Sequence, residues 1–309
     1  MIQTEEPTLA RVLAAVREHR RGQADAGSGR FAAWRISSLA GGNNGHLYRC
    51  DAFGSPVCIK LCRVDERRRA EREWIGMNLL ARRVGQLVPC PLGYDPGAGA
   101  PAVTMTLLPG SPMVGRELTM EQLRALAQTI QKLQVITPAD APDFQLPRVG
   151  GAREDAEWSV LRRVECVDAT GLDDDQIAAY RPLRDLWLAS DDRAILTADA
   201  SAIFSRGDAN LANWLWDGDQ VRAVDFEYAG WSDRAWDLAD LVEGIWARRT
   251  PDPRWAAFVD WFDLSLDERR RFLAARRALA VFWTLLLGQR QSPSALFWEQ
   301  VARANDLLS

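Results

Sequence analysis

A chain of 309 residues can bury one large core or two smaller ones, and 47% hydrophobic with 26% charged residues is an ordinary balance for a globular protein. The formal net charge of −4 argues against a general nucleic-acid binder, which would carry a basic face, and no apolar run has signal-peptide form or approaches membrane-spanning length. The five cysteines (Cys50, Cys58, Cys62, Cys90, Cys166) are odd in number without a paired C-x-x-C spacing, so they read as reduced thiols in a cytoplasmic protein.

In chain order, residues 8–21 carry Leu9, Val12, Leu13 and Val16 at helical spacing behind Pro7 and Thr8, and a small, Gly-rich connector follows. Residues 34–39 and 46–53 read as strands around the turn Ala40-Gly41-Gly42-Asn43-Asn44-Gly45. Ser55-Pro56 then turns the chain into the apolar strand 57–61, interrupted by the single cation Lys60. A charged helix is expected over 65–84, where Glu73 shares a face with Ala70, Met77, Leu80 and Val84, while the run 66–72 otherwise reads as a solvated face. Residues 102–107 form a strand that Leu108-Pro109-Gly110 breaks. A helix over 119–136 opens on a possible capping box, Thr119 with Gln122, and further helices are expected over 152–166 and 173–189.

The most informative stretch is 203–227, I-F-S-R-G-D-A-N-L-A-N-W-L-W-D-G-D-Q-V-R-A-V-D-F-E. Two short apolar strands, 214–216 and 221–224, flank Asp217-Gly218-Asp219, and an Asp-Gly pair in that setting is a hairpin signal because the tight turn needs positive φ. Asp208 and Asn213 precede the hairpin and Asp225 follows it, so two carboxylates and a carboxamide are expected to converge. All are hard oxygen donors suited to Mg²⁺. Beyond it, 228–233 reads as a loop and 235–247 as a helix in which Asp237, Asp240 and Glu243 recur at helical spacing. Helices over 254–263, 267–288 and 294–308 complete the chain.

Here the residues carry a resemblance. D-x-x-x-x-N, a hairpin and then D-F-E resemble the catalytic and metal-binding loops of kinase-like small-molecule phosphotransferases, namely the aminoglycoside phosphotransferase and choline/ethanolamine kinase family. The continuation D-F-E-Y-A-G with Trp236-Asp237-Leu238-Ala239 looks most like the choline kinases and their bacterial relatives. The resemblance implies an α+β, protein-kinase-like two-lobed fold, with an N-terminal antiparallel sheet plus one helix and a mostly helical C-terminal lobe. The expected divisions are 1–30 for the opening helix and connector, 31–108 for the nucleotide-binding lobe and 109–309 for the catalytic lobe.

It also implies roles. Lys60, held by Glu73, would grip the α and β phosphates of ATP, Gly42 and Asn44 would contact the nucleotide from the Gly-rich turn, and Met105 and Leu107 would lie where backbone groups bind adenine. Asp208 would receive the attacking hydroxyl, and Asn213 and Asp225 would hold Mg²⁺. Glu227 and Trp231 are candidate substrate contacts, Trp231 through its aromatic face. Asp237 matches the family's structural D-L-A aspartate, and Asp240 and Glu243 read as a solvated face or a substrate-ammonium site. The expected reaction is Mg²⁺-dependent transfer of the γ-phosphate of ATP to a hydroxyl of a small, amine-bearing molecule, with no nucleic-acid or membrane partner. One departure stands out: the family's usual histidine two residues before the catalytic aspartate is Arg206 here. Arginine there opens the alternative of a nucleotide-binding pseudokinase acting as scaffold or sensor.

Overall fold

The computed structural model describes residues 6–22, 29–39, 45–97, 99–150, 160–165, 171–290 and 294–309. The chain divides into two compact units: Met1–Ser111 with Leu215–Ala229, and Pro112–Trp214 with Gly230–Ser309. The segment 215–229 therefore clusters with the N-terminal part of the chain, although it follows most of the second unit in sequence.

The first unit is built on a five-stranded antiparallel sheet of β1 (Ile36–Leu39), β2 (Gly45–Cys50), β3 (Val57–Cys62), β4 (Pro91–Asp95) and β5 (Ala102–Thr106), in the order β1-β2-β3-β5-β4. β3 lies in the middle, pairing with β2 and β5, and all six of its residues are buried. A continuous apolar run with one lysine thus becomes a central strand that carries Lys60 into the interior. Helix α1 (Leu9–Arg20), capped by Thr8, buries Val12 and Val16 in the same core as Tyr48, Cys50 and Ile59. Arg17 of α1 secures it by donating to Asp95 at 2.9 Å and to the Ala100 carbonyl at 2.6 Å. A short α2 (Gly29–Ala33) leads into β1. The expected strand start at Trp34 is instead a turn after α2, with Arg35 at φ 50°. Helix α3 (Arg69–Val84) begins four residues later than its charge pattern suggests, because Arg68 sits in the left-handed region at φ 52°. The hairpin joins Trp214–Trp216 to Val221–Ala223 through Asp217, whose carboxylate accepts from the N–H groups of Asp219 (3.0 Å) and Gln220 (2.8 Å), with Gly218 at φ +107°.

The second unit is mainly helical: α4 (Met120–Gln134), α5 (Val160–Glu165), α6 (Asp174–Ala189), α7 (Asp192–Thr197), α8 (Arg234–Glu243), α9 (Asp252–Asp260), α10 (Leu266–Gln289) and α11 (Ser294–Leu308). The Thr119–Gln122 capping box is present on α4, and Asp173–Gln176 and Ser265–Glu268 form the same motif on α6 and α10. Helix α10 is the central element, buried along most of its length and packed by α5, α6, α7, α8 and α11. Residues 228–233 are not only a loop, as their turn-like composition suggests. Gly230–Ser232 form β7, antiparallel to β6 (Ile203–Ser205), with Trp231 also bonded through its backbone to Pro147 and Val149. Glycine is required at 230, since a Cβ there would stand 2.5 Å from the Pro147 carbonyl oxygen. Among the described residues no helix is long and apolar enough to cross a membrane.

Candidate active site

In the first unit, the chemistry converges on Lys60. Its ammonium donates to Glu73 of α3 at 2.7 Å and to Asp225 at 2.7 Å, and lies 3.1 Å from Glu227. Burial alone would lower the lysine pKa, but the three carboxylates outweigh it and hold Lys60 firmly protonated. Glu73 behaves oppositely: burial pushes its carboxyl up to about 7 against the pull of Lys60. Arg69 closes the cluster, donating to Glu227 at 2.6 Å, to the Tyr228 hydroxyl at 2.6 Å and to Asp65 at 2.5 Å, with its guanidinium 4.6 Å from the Tyr228 ring centroid. Arg72 donates to the carbonyls of Tyr228 and Ala229. Helix α3 is thereby fastened to the D-F-E-Y-A segment by its first turns, and the 66–72 run is largely engaged rather than solvated.

Asp225 has a non-glycine residue's rare positive φ, 66°, a strained conformation of the kind that functional sites store. Its side chain retains 28% exposure, whereas those of Glu73 and Glu227 are sealed. Glu73, Asp225 and Glu227 each place an oxygen within 4.8 Å of the others. These three carboxylates are all-oxygen donors of the kind a hard divalent cation takes, with Asp225 the accessible member.

In the second unit, the loop after β6 holds Asp208 by both oxygens. Oδ1 accepts from the Asn210 N–H at 3.0 Å, and Oδ2 accepts from the Asn213 side-chain nitrogen at 2.9 Å. That bond commits the nitrogen of Asn213 and leaves its amide oxygen as the donor a hard cation would use. The side chain of Asn210 caps the turn at Ala212, and Gly207 takes φ +71°. Ser205 donates to Asp237 of α8 at 2.6 Å and its oxygen accepts from the Gly207 N–H at 3.0 Å. Burial raises the carboxyls of Asp237 and Asp240 to about 7.

Most residues singled out in the sequence have a place among the described residues. Lys60, Glu73, Asp225 and Glu227 lie together, as do Asp208 and Asn213. Glu227, expected as a substrate contact, is instead sealed between Lys60 and Arg69. Trp231, the other such candidate, is 7% exposed and packs edge-on against Phe204 at 6.3 Å, because its strand is paired on both sides. Met105 points into the core of the first unit, and the Leu107 N–H donates to the Pro56 carbonyl at 3.3 Å. Gly42 and Asn44 lie outside the described residues. Glu243 is not on a solvated face: it is fully buried and paired with Arg248, Arg276 and Arg303. Sequence reasoning missed Arg69, although its spacing of four from Glu73 on one helix face was the available signal.

Comparison with known proteins bears on family and fold. The profile of the phosphotransferase enzyme family matches residues 35–275. No curated protein sequence matches the chain. Among solved structures, the apoenzyme of a macrolide 2'-phosphotransferase from Brachybacterium faecium superposes with TM-score 0.60 at 17% identity, covering 95% of this chain and 98% of that one. A choline/ethanolamine kinase family protein from Mesorhizobium loti gives 0.61 at 17% identity, covering 95% of each chain. A spectinomycin phosphotransferase, solved with ADP and spectinomycin, gives 0.56 at 13% identity, covering 88% of each chain. These identities speak to the fold, which is kinase-like, while the profile match spans most of the sequence. The chain belongs to the phosphotransferase enzyme family.

Proposed function

We propose that this protein transfers the γ-phosphoryl group of ATP, with Mg²⁺, to a hydroxyl of a small amine-bearing molecule. The observation that carries the reading is the buried Lys60 held by Glu73 beside the strained Asp225. A permanently charged ammonium on a rigid central strand suits the α and β phosphates, and it is preorganised, so little rearrangement opposes its action. Asn213, through its amide oxygen, and Asp225 would hold the metal, which supplies neutralisation of phosphate charge. Asp208, with one oxygen fixed by Asn213, accepts the hydroxyl proton of the acceptor and aligns its oxygen for in-line attack; alignment removes motional freedom in advance and supplies much of the rate. The amine in the acceptor is inferred from the D-F-E-Y-A-G string and from the spectinomycin and choline/ethanolamine named in the related structures. The protein is read as cytoplasmic.

The test is incubation of purified protein with Mg²⁺ and ATP against a panel of amino alcohols, aminoglycosides, macrolides and sugars, read by mass spectrometry for phosphorylated product. Phosphorylation of an amine-bearing member is the expected result. Product confined to neutral sugars would remove the amine from the reading. ATP binding without ADP release on any acceptor would replace the kinase with the pseudokinase.

A further inference from the structure

The residue in which this chain departs from its family pattern, Arg206, occupies a built environment within the second unit. It is 5% exposed, and its guanidinium carbon lies 4.7 Å from the ring centroid of Trp214, which directly follows Asn213. Its neighbours on both sides are tied to α8 through one hydroxyl: Ser205 donates to Asp237 at 2.6 Å, and the same oxygen accepts from the Gly207 N–H at 3.0 Å. We infer that Arg206 is a positioning residue of the catalytic loop, whose stacked guanidinium neutralises Asp237 and Asp240 so that Ser205 stays bound to a charged carboxylate, Gly207 stays bound to Ser205 and Asp208 keeps its direction. The inference rests on the phosphotransfer reading, because it takes Asp208 as the group being positioned.

The physical case is one of charge. Burial drives Asp237 and Asp240 towards protonation. Asp233 adds to this for Asp237, and Asp208 with Asp237 adds to it for Asp240. Arg206 acts on both in the opposite sense, while Ser205 donates to Asp237 at 2.6 Å. Arg271 of α10, which pairs with the Asp233 that adds to this charge, donates to it at 2.9 Å and to the carbonyls of Ile195, Leu196 and Ala198. A histidine would be largely neutral near pH 7, whereas arginine stays charged and presents a flat face to the indole. With Asp237 ionised, the Ser205 bond is charge-assisted; with Asp237 protonated it becomes an ordinary, weaker one, and the backbone at Gly207 loses its fixed anchor. Arginine here is thus a substitute support and not a lesion.

The experiment compares wild type, Arg206→Met and Arg206→Lys in Mg²⁺-dependent ADP release from ATP, with the best acceptor of the panel or with water. Misdirection of Asp208 should lower kcat of Arg206→Met about 10- to 100-fold with KM for ATP unchanged within about threefold, and Arg206→Lys should recover most of the loss. A general structural defect would not divide kcat from KM or be rescued by charge alone. An Arg206→Met rate within about twofold of wild type, or a lysine variant as poor as the methionine one, overturns the inference. Melting of Arg206→Met, Asp237→Asn and the double variant supplies an arm independent of turnover. Coupling predicts a double variant no less stable than the worse single one, and additive losses overturn it. Wild-type protein without turnover on any acceptor would sink the kinase reading, and the melting cycle alone would then decide whether Arg206 supports the loop.

Discussion

Replacing Lys60 by methionine tests the charge cluster of the first unit. Lys60 faces Glu73 and Asp225 at 2.7 Å and Glu227 at 3.1 Å, so the variant leaves three carboxylates with oxygens within 4.8 Å of one another. Removing one partner of a buried ion pair typically costs about 3–5 kcal/mol. Two features reduce that figure here. Arg69 still neutralises Glu227, and Glu73, already raised to about 7, can take up a proton. The cost therefore depends on pH, and its sign follows from linkage. A carboxyl raised in the folded state binds more protons than its unfolded counterpart, so stability falls as pH rises between the two pKa values. In wild type that fall ends near the Glu73 value of about 7. Without Lys60 the value moves higher, and each pH unit above about 7 adds up to about 1.4 kcal/mol. Near pH 6, the variant should lose only its hydrogen bonds and packing, about 1–2 kcal/mol, and near pH 8.5 about 2 kcal/mol more. Urea unfolding at both pH values measures this. Equal losses at the two, or a smaller loss at the higher one, would refute the electrostatic account. The same variant should be stabilised by Mg²⁺ more than wild type is, since an oxygen cluster has lost its resident cation.

Asp208→Ala should abolish turnover by about 10²-fold or more while nucleotide binding, followed by ATP-induced thermal shift, persists; an unchanged rate would remove Asp208 from its role. Ser265→Ala removes the cap of the central helix α10 and should cost about 1 kcal/mol in denaturant unfolding, without changing KM for ATP. The Asp217 carboxyl is held down to about 2, first by the Gln220 N–H and then by Arg222, so its contribution to the hairpin is complete above its ordinary value and is lost as pH falls through about 2. Asp217→Asn should therefore lower stability at neutral pH and remove that acid-side component, as measured by unfolding in acid.

Much of this protein was legible without coordinates because the signals are local. A hairpin announces itself through Asp217-Gly218, a helix start through Thr119 with Gln122, and the choice of Glu73 over Glu71 through helical phase. The Lys60–Glu73 pair joins β3 to α3; the family resemblance suggested it, and helical phase singled out Glu73. What remained hidden depended on contacts far apart in sequence. Nothing near Glu227 indicates that Arg69, some 158 positions earlier, will seal it. Trp231 looks like an exposed aromatic in a turn until Ile203–Ser205 and Pro147–Val149 pair with its strand. Glu243 looks solvated until Arg276 and Arg303 arrive from α10 and α11. Periodicity and spacing determine which residues share a face of one element; which charges meet is decided by packing between elements, since only there does burial make an unpaired charge too costly to leave alone.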